Sequence, residues 1–345
     1  MTNVFNRLKL AGRALLKGQP LPRPRRQVPA ISPEEVAEAK SFFPLEKFFI
    51  FGHARSGTTL LTRLVRVHPQ VHCNYQAHFF TRQPLLEALV ADEEVGQWLS
   101  RRSNRWNQGH DLSSLVLRAA ADFIMERDAR KAGKGGLGCV VGDKSPNSLL
   151  DGDAVRQMVK VYPDARLVFI VRDGRDAAVS HRFQAFIDRP QHLTKEDLRI
   201  REAFIRDPAP FTSGQRSIFT EKGVTQAAQG WVHNVVETDR AARELLGERY
   251  YHLRYEELLT SPWEEMRRLW AFLGADVKVP NLNETLEAEL QQNPDADWQQ
   301  EKASDIATAL TKGQRGTWRE LFTPRDRRVF EEIAGEVLKD WGYEV

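Results

Sequence analysis

Cysteine is scarce in this chain of 345 residues, which has only Cys73 and Cys139, and no metal-ligand pattern surrounds either one. We therefore expect no metal site and two free thiols in a reducing compartment. A continuous run of about 18 apolar residues is also missing, so we expect no transmembrane helix. The net charge is only +3, which argues against a polyanion binder of the histone type and predicts no nucleic-acid partner.

Acidic residues are missing from the amino-terminal stretch, where the first is Glu34. The same stretch carries the basic residues Arg7, Lys9, Arg13, Lys17, Arg23, Arg25 and Arg26. Residues 1–20 also show roughly helical spacing of apolar residues, which is compatible with a basic helix on an anionic membrane. A disordered or loosely docked arm is the alternative. We assign residues 1–45 to a basic arm and linker. We expect a cytoplasmic protein, and peripheral membrane contact through residues 1–20 remains open.

Short apolar runs alternate with helical patterns from Glu46 onward. Strands are predicted at Lys47–Phe51, Cys139–Gly142, Leu167–Val171 and Tyr250–Arg254. This alternation predicts an α/β domain over residues 46–345, with a P-loop NTPase-like parallel sheet flanked by helices on both faces. Residues 188–223 break the rhythm with several prolines, and we expect a lid or an irregular helical insertion over the site there.

The loop after the first predicted strand has the composition of an anion site. It reads Gly52-His53-Ala54-Arg55-Ser56-Gly57-Thr58-Thr59 and precedes a predicted helix, whose first backbone N–H groups favour a bound anion. Arg55 adds a positive charge, and Thr58 and Thr59 add hydroxyl donors. A Walker A loop has lysine where Thr58 stands, which argues against ordinary ATP or GTP hydrolysis. A generic anion-binding turn remains the alternative.

A second basic cluster follows the predicted strand Leu167–Val171. This strand delivers Arg172 to its carboxyl end, where ligands bind in open α/β sheets. Ser180 lies two turns into the next helix, and we expect it to face the same way. A guanidinium and a hydroxyl that converge there would suit a second phosphate. The alternative is an ion-paired helix start in which Asp173 answers Arg175.

Together, these motifs resemble those of sulfotransferases that use 3′-phosphoadenosine-5′-phosphosulfate (PAPS). The segment Arg55-Ser56-Gly57-Thr58-Thr59 resembles their 5′-phosphosulfate loop, and Arg172 with Ser180 resembles their 3′-phosphate motif. The stretch through His68-Pro69 is similar to the tyrosylprotein branch, and His78-Phe79-Phe80 is similar to heparan-type enzymes. The resemblance implies transfer of a sulfuryl group from PAPS to a hydroxyl of a carbohydrate, peptide, lipid or small molecule. It leaves the acceptor and the oligomeric state open.

The resemblance implies further cofactor contacts near the carboxyl end. Lys312 and Gly313 are similar to the start of the family's RKGxxGxW element, which meets the 3′-phosphate. The leading arginine of that element is Thr311 here, so Arg315 or Arg319 would have to supply the missing charge. Tyr255 matches a tyrosine that contacts the adenine side of the cofactor.

The resemblance also implies catalytic roles but leaves the general base open. Arg55 would neutralise the leaving 5′-phosphate, and Lys144 matches a lysine that helps stabilise the transferring group, with a solvated loop lysine as the alternative. Gln76 stands where both related branches have a glutamate, and an amide cannot take the proton. His78 is the nearest titratable side chain, and an ordinary histidine pKa suits proton transfer at neutral pH. Asp143 is the other candidate.

Two other functions remain open on the sequence alone. A P-loop kinase-like nucleotide enzyme would share the first loop, although Thr58 and the Arg172–Ser180 pair argue against it. A non-catalytic PAPS-binding protein would explain Gln76. Dependence on magnesium would identify the first, and binding of PAPS without transfer would identify the second.

Overall fold

A computed structural model describes residues 24–82, 85–101, 108–292 and 315–345. Its centre is a sheet with the strands β1 (Glu46–Gly52), β2 (Val71–Tyr75), β3 (Val140–Lys144), β4 (Arg166–Val171) and β5 (Tyr250–Arg254). Within these residues the strand order is β2-β3-β1-β4-β5, and every neighbouring pair is parallel. The predicted α/β class with a P-loop NTPase-like parallel sheet is confirmed.

Helices connect the strands and cover the sheet. The first half of the chain forms α1 (Pro33–Phe42), α2 (Thr58–Val67), α3 (Leu85–Val90), α4 (Glu93–Leu99), α5 (Ser113–Lys131), α6 (Gly152–Val161) and α7 (Gly174–Asp188). The second half forms α8 (Lys195–Arg206), α9 (Ala209–Thr212), α10 (Glu221–Leu246), α11 (Tyr255–Thr260), α12 (Pro262–Leu273), α13 (Leu282–Gln291), α14 (Trp318–Leu321) and α15 (Pro324–Asp340).

Strand β1 shows that both faces of the sheet are buried. Phe48 and Ile50 belong to a core shared with α2, α12 and α13, whereas Phe49 and Phe51 belong to a larger core shared with α5, α6 and α10. Successive strand residues point to opposite faces, so a strand between two helical layers needs apolar side chains on both. This burial explains the continuous apolar run that makes β1 recognisable in the sequence, and it confirms the prediction of helices on both faces.

Strand β2, at one edge of the sheet, is not predicted by the sequence pattern. Its polar residues His72 and Asn74 break the apolar run, yet both are buried once the strand pairs with β3. The His72 Nε2 lies 2.7 Å from Asp128 Oδ2, so this ring nitrogen has a hydrogen-bond partner. The strand matters for the site because it ends directly before Gln76.

The described part of the amino-terminal segment contacts the domain. The Arg26 N–H donates to the Ala91 carbonyl at 2.9 Å, and the Ile31 N–H donates to the Lys160 carbonyl at 2.8 Å. Residues 1–20 lie outside the described residues, so membrane contact through them stays a prediction, as does the boundary at residue 45. In the part of the chain that the structure describes, no helix has the length and apolarity needed to cross a membrane.

The insertion at residues 188–223 is largely helical and includes α8 and α9. The Phe204 ring of α8 lies edge-on to Phe183 of α7, with centroids 5.1 Å apart, and also contacts Phe211 of α9 at 5.4 Å. All three rings are buried. The segment is therefore anchored on α7 by an aromatic cluster, and its role as a lid over the site stays a prediction.

Candidate active site

The described site candidates lie together at the carboxyl ends of the five parallel strands. The phosphate loop of residues 52–59 follows β1, His78 follows β2, Lys144 ends β3, Arg172 follows β4 and Tyr255 follows β5. Parallel strands end on the same side, and the carboxyl edge is where open α/β sheets bind ligands. Residues from five separated stretches of sequence therefore surround one site.

The phosphate loop has the geometry of an anion cradle. Helix α2 begins after Gly57, whose φ of 86° is left-handed, and no side chain caps the helix start. A Cβ at Gly57 would lie 2.1 Å from the Tyr255 ring, so only glycine fits there. The Ser56 hydroxyl is buried and has no hydrogen-bond partner among the described residues. A buried donor beside an uncapped helix start fits a phosphate group.

The two predicted phosphate motifs meet at Arg55. Its Nε donates to Ser180 Oγ at 3.0 Å, and its carbonyl accepts from Arg172 Nη1 at 3.2 Å. The Arg172 guanidinium also lies over the Tyr255 ring, 4.8 Å from the centroid. Arg172 and Ser180 thus face the same loop, and the structure brings together two guanidinium groups, a hydroxyl and an aromatic ring.

The carboxyl-terminal element docks on the helix that carries Ser180. Asp176 of α7 accepts from the Gly316 N–H at 2.6 Å and from the Trp318 N–H at 3.0 Å. Burial raises the pKa of the Asp176 carboxyl, although both amides and Arg172 favour its charged form. Lys312 and Gly313 lie outside the described residues, so their contact with the cofactor stays a prediction.

The alternative interpretation of the second basic cluster, an ion-paired helix start, is correct for Arg175. This side chain is buried and bidentate to Asp173, with distances of 3.0 Å from Nε to Oδ1 and 2.8 Å from Nη2 to Oδ2. Its guanidinium also stacks on Trp318, 3.8 Å from a ring centroid. Arg319, considered as a substitute for the missing motif arginine, pairs with Glu344 at 2.7 Å. Arg172 differs from both because it faces the phosphate loop.

Lys144 is the last residue of β3 rather than a loop residue. The residue is 1 % exposed, so the alternative of a solvated loop lysine is wrong. The ammonium lies 3.4 Å from Thr59 Oγ1 of the phosphate loop. Burial lowers its pKa to about 8, because a charged ammonium loses hydration there. The role of Lys144 at the transferring group stays a prediction.

His78 lies in a turn between β2 and α3, with its Nδ1 2.8 Å from Thr81 Oγ1. Burial, together with the positive charges of Arg82 and Lys144, lowers the pKa of the ring to about 4. The expectation of an ordinary histidine pKa is therefore wrong. The ring is neutral at physiological pH and can accept a proton, but it is a weaker base than an unperturbed histidine.

Asp143 holds a turn rather than facing open space. Its Oδ1 accepts from the Ala77 N–H at 3.0 Å, and its Oδ2 accepts from the Ser145 hydroxyl. Burial raises the pKa of this carboxyl. Gln76 is exposed, and its backbone N–H donates to the Lys144 carbonyl at 2.7 Å. Both oxygens of Asp143 are therefore engaged in hydrogen bonds, and the identity of the base stays a prediction.

Sequence reasoning missed Asn147, which connects the parts of the site. Its N–H donates to the Gly52 carbonyl at 3.1 Å, and its side-chain amide donates to the Thr81 carbonyl near His78. Asn234 of α10 in turn donates to the Asn147 carbonyl at 2.9 Å. A Ser-Pro-Asn stretch is typical of any turn, so nothing local in the sequence marks this residue.

Comparisons with known proteins give a consistent result. Residues 47–278, more than half of the chain, match a family model described as "Sulfotransferase family". The protein-tyrosine sulfotransferase of Drosophila melanogaster is 26% identical over 227 residues, which cover 65% of this chain and 37% of that protein. Protein-tyrosine sulfotransferase 1 of Danio rerio is 25% identical over 127 residues, or 37% of this chain and 32% of that protein. The chain therefore spans about a third of the length of these curated relatives.

Two solved structures are also similar to this chain, at lower sequence identity than the curated relatives. A crystal structure of a mouse sulfotransferase complexed with PAP shares 17% identity and a TM-score of 0.46, and the match covers 90% of this chain and 91% of that chain. A crystal structure of a sulfotransferase from Alicyclobacillus acidocaldarius shares 22% identity and a TM-score of 0.41, over 79% of this chain and 98% of that chain.

Proposed function

The chain belongs to the sulfotransferase family, and from this premise we propose that it transfers the sulfuryl group of PAPS to an acceptor hydroxyl. One observation carries the proposal, namely that the two phosphate motifs converge. Arg55 lies 3.0 Å from Ser180 Oγ and within hydrogen-bond distance of Arg172. A nucleotide with phosphates at both its 5′ and 3′ positions would use both motifs, whereas ATP would use only the first.

In the proposed reaction, different residues of the site stabilise different reacting groups. A bond forms between the acceptor oxygen and sulfur, and the bond from sulfur to the 5′-phosphate oxygen breaks, leaving its electron pair on the phosphate. Arg55 and the start of α2 would neutralise the phosphate, and the Lys144 ammonium would lie against the transferring group. Such fixed charges lower the barrier because they need no reorganisation during the reaction.

The acceptor proton needs a base, and we assign this role to His78. The pKa of His78 is about 4, so the ring is neutral throughout the physiological range. An unprotonated ring nitrogen therefore stays available to accept the proton of the attacking hydroxyl. Gln76 has no basic atom, and both carboxylate oxygens of Asp143 already accept hydrogen bonds.

The acceptor in this proposal is a hydroxyl compound. Because the named relatives are protein-tyrosine sulfotransferases, peptide tyrosine is the first class to test. Carbohydrate, lipid and small alcohol acceptors complete the panel. A cytoplasmic location with peripheral membrane contact stays a prediction.

The test is turnover of PAPS labelled with ³⁵S in the presence of each acceptor class, with and without EDTA. We expect label on an acceptor, with equimolar release of PAP, and the same rate in EDTA. Magnesium-dependent phosphate transfer from ATP would instead support a kinase-like enzyme. Tight binding of PAPS without transfer to any acceptor would support a non-catalytic binding protein.

A further inference from the structure

Lys144 has an aromatic neighbour that the proposed mechanism does not use. In the parallel pairing of β2 with β3, Tyr75 lies directly opposite Lys144. The Lys144 ammonium is 4.9 Å from the centroid of the Tyr75 ring, and the Arg66 guanidinium is 4.3 Å from the same centroid. Tyr75 is 46 % exposed.

The surroundings of Lys144 offer little else to hold its charge. Its hydrogen bond to Thr59 Oγ1 is long, at 3.4 Å, and among the described residues Lys144 forms no ion pair. Burial disfavours the charged ammonium most strongly and Arg66 disfavours it too, and together they outweigh Cys73 and Asp143, which favour it. His78 also faces this charge, since Lys144 contributes to the low pKa of the ring.

We propose that Tyr75 is a positioning residue, whose ring face holds the Lys144 ammonium charged and directed toward the transferring group. This role rests on the proposed function. An aromatic face attracts a cation through its quadrupole, most strongly where water is excluded. A carboxylate would attract the ammonium too, but it would also repel the anionic sulfuryl group. A neutral ring supplies the attraction without a competing negative charge.

Arg66 in turn fixes the ring. Its Nε donates to the Cys73 carbonyl at 2.6 Å, which places the guanidinium beside the end of β2. Asp128 lies 3.9 Å from another nitrogen of the same guanidinium. Tyr75 is thereby held in place by a side chain that is itself anchored to the strand backbone.

The first experiment measures Lys144 directly in the full-length protein and needs no sulfuryl transfer. Wild-type protein, Tyr75→Phe and Tyr75→Leu are acetylated with a trace of acetic anhydride across a pH series, and labelling of the Lys144 peptide is quantified by mass spectrometry. Phenylalanine retains the ring face, so its midpoint should match the wild type. Leucine should move the midpoint down by about 0.5 to 1 pH unit. Phe123→Leu, a similarly exposed ring on α5, is the control.

The second experiment measures turnover in the same variants. Tyr75→Leu should lower kcat about 3- to 30-fold at neutral pH and move the alkaline limb of kcat/KM to lower pH, whereas Tyr75→Phe should do neither. If Tyr75→Leu unfolds, Tyr75→Val takes its place, since β-branched residues suit strands.

An unchanged midpoint in the leucine variant, or equal losses in the phenylalanine and leucine variants, would overturn the role of Tyr75. Absence of turnover in every protein, including the wild type, would instead contradict the proposed function, and the acetylation midpoints would still decide the role of the ring.

Discussion

Arg55 has a φ of 73°, which lies in the left-handed region of backbone space. This conformation costs a residue other than glycine about 1–2 kcal/mol. It turns the carbonyl toward Arg172 while the side chain reaches Ser180. The strain therefore lies at the point where the two phosphate motifs meet, which is typical of a functional loop.

Replacement of Arg172 tests the second phosphate site. We expect Arg172→Ala to weaken binding of PAP by about 10- to 100-fold, because a hydrogen bond to a charged group contributes about 1.5–3 kcal/mol. Binding of the 3′-dephospho analogue should change much less. Isothermal titration calorimetry with both nucleotides measures the difference, and Arg156→Ala, an exposed arginine of α6, serves as the control. Equal losses for the two nucleotides would remove Arg172 from the 3′-phosphate site.

The low pKa of His78 makes a prediction about pH. A base must be deprotonated to act, so kcat/KM should rise as pH increases through about 4 and level off, rather than rise near 6.5. His78→Asn should lower kcat about 100-fold or more and abolish this acidic limb; asparagine tolerates the positive φ of 54° at this position. A pH–rate series on both proteins is the measurement. Retention of the limb in the variant would show that another group is the base.

At the scale of elements, the turn of residues 76–78 is held in an unusual backbone conformation. Its three consecutive N–H groups donate to the Lys144 carbonyl at 2.7 Å, to Asp143 Oδ1 at 3.0 Å and to Ser145 Oγ at 2.9 Å. Its first and third residues both have a φ of 54°. The end of β3 therefore determines the shape of the turn that carries the proposed base.

Removal of one of these acceptors tests the turn. Ser145→Ala leaves the His78 N–H without its partner, so we expect the free energy of unfolding to fall by about 1–3 kcal/mol. Urea denaturation measures this change. Ser213→Ala removes an exposed hydroxyl that bonds the Pro210 carbonyl and should cost much less. If both variants lose the same stability, the bond to the turn has no special importance.

At the scale of the whole molecule, the two ends of the parallel strands contribute differently to activity and stability. The site lies at the carboxyl ends of the strands, and a buried ion cluster lies at the amino-terminal end of β1. Lys47 Nζ lies 3.0 Å from Glu126 Oε1 and 3.7 Å from Asp122 Oδ1, with all three side chains nearly inaccessible to solvent. Burial raises the pKa of Asp122, so its charged form depends on Lys47 and Arg118.

This separation predicts that stability and activity can be changed independently. Lys47→Met removes the buried cation shared by Asp122 and Glu126, and leaves Asp122 with Arg118 and Glu126 with Arg130. Loss of one partner of a buried ion pair should lower the free energy of unfolding by about 3–5 kcal/mol. The site lies at the other end of the strand, so kcat/KM at 25 °C should stay unchanged while the protein is folded. Lys40→Met, which removes a partly exposed lysine beside Glu46 and Asp164, should cost less than about 1 kcal/mol. Urea denaturation and steady-state kinetics test both statements, and a selective loss of kcat/KM in Lys47→Met would contradict them.

The strands that the sequence predicts best are those whose continuous apolar runs indicate burial on both faces of the sheet. β1 and β4 are continuous apolar runs, and the helix after β4 begins at Gly174 behind the capping residue Asp173. The sequence does not predict β2, because its polar residues His72 and Asn74 interrupt the apolar run. These residues can be buried only because the strand pairs with β3 and His72 bonds with Asp128. The insertion at 188–223 is more regular than its prolines suggest, since aromatic contacts with α7 order it.

The sequence by itself determined the alternation of strands and helices, the phosphate loop with Thr58 in place of a lysine, and the positions of Arg172 and Ser180, because each is a local pattern of adjacent residues. Only the tertiary structure decided that Arg55 links the two phosphate motifs, that Lys144 is buried beneath Tyr75 and that the His78 pKa is about 4. Hydration, charge and ring contacts depend on residues far apart in sequence, which meet only when the parallel strands align their carboxyl ends.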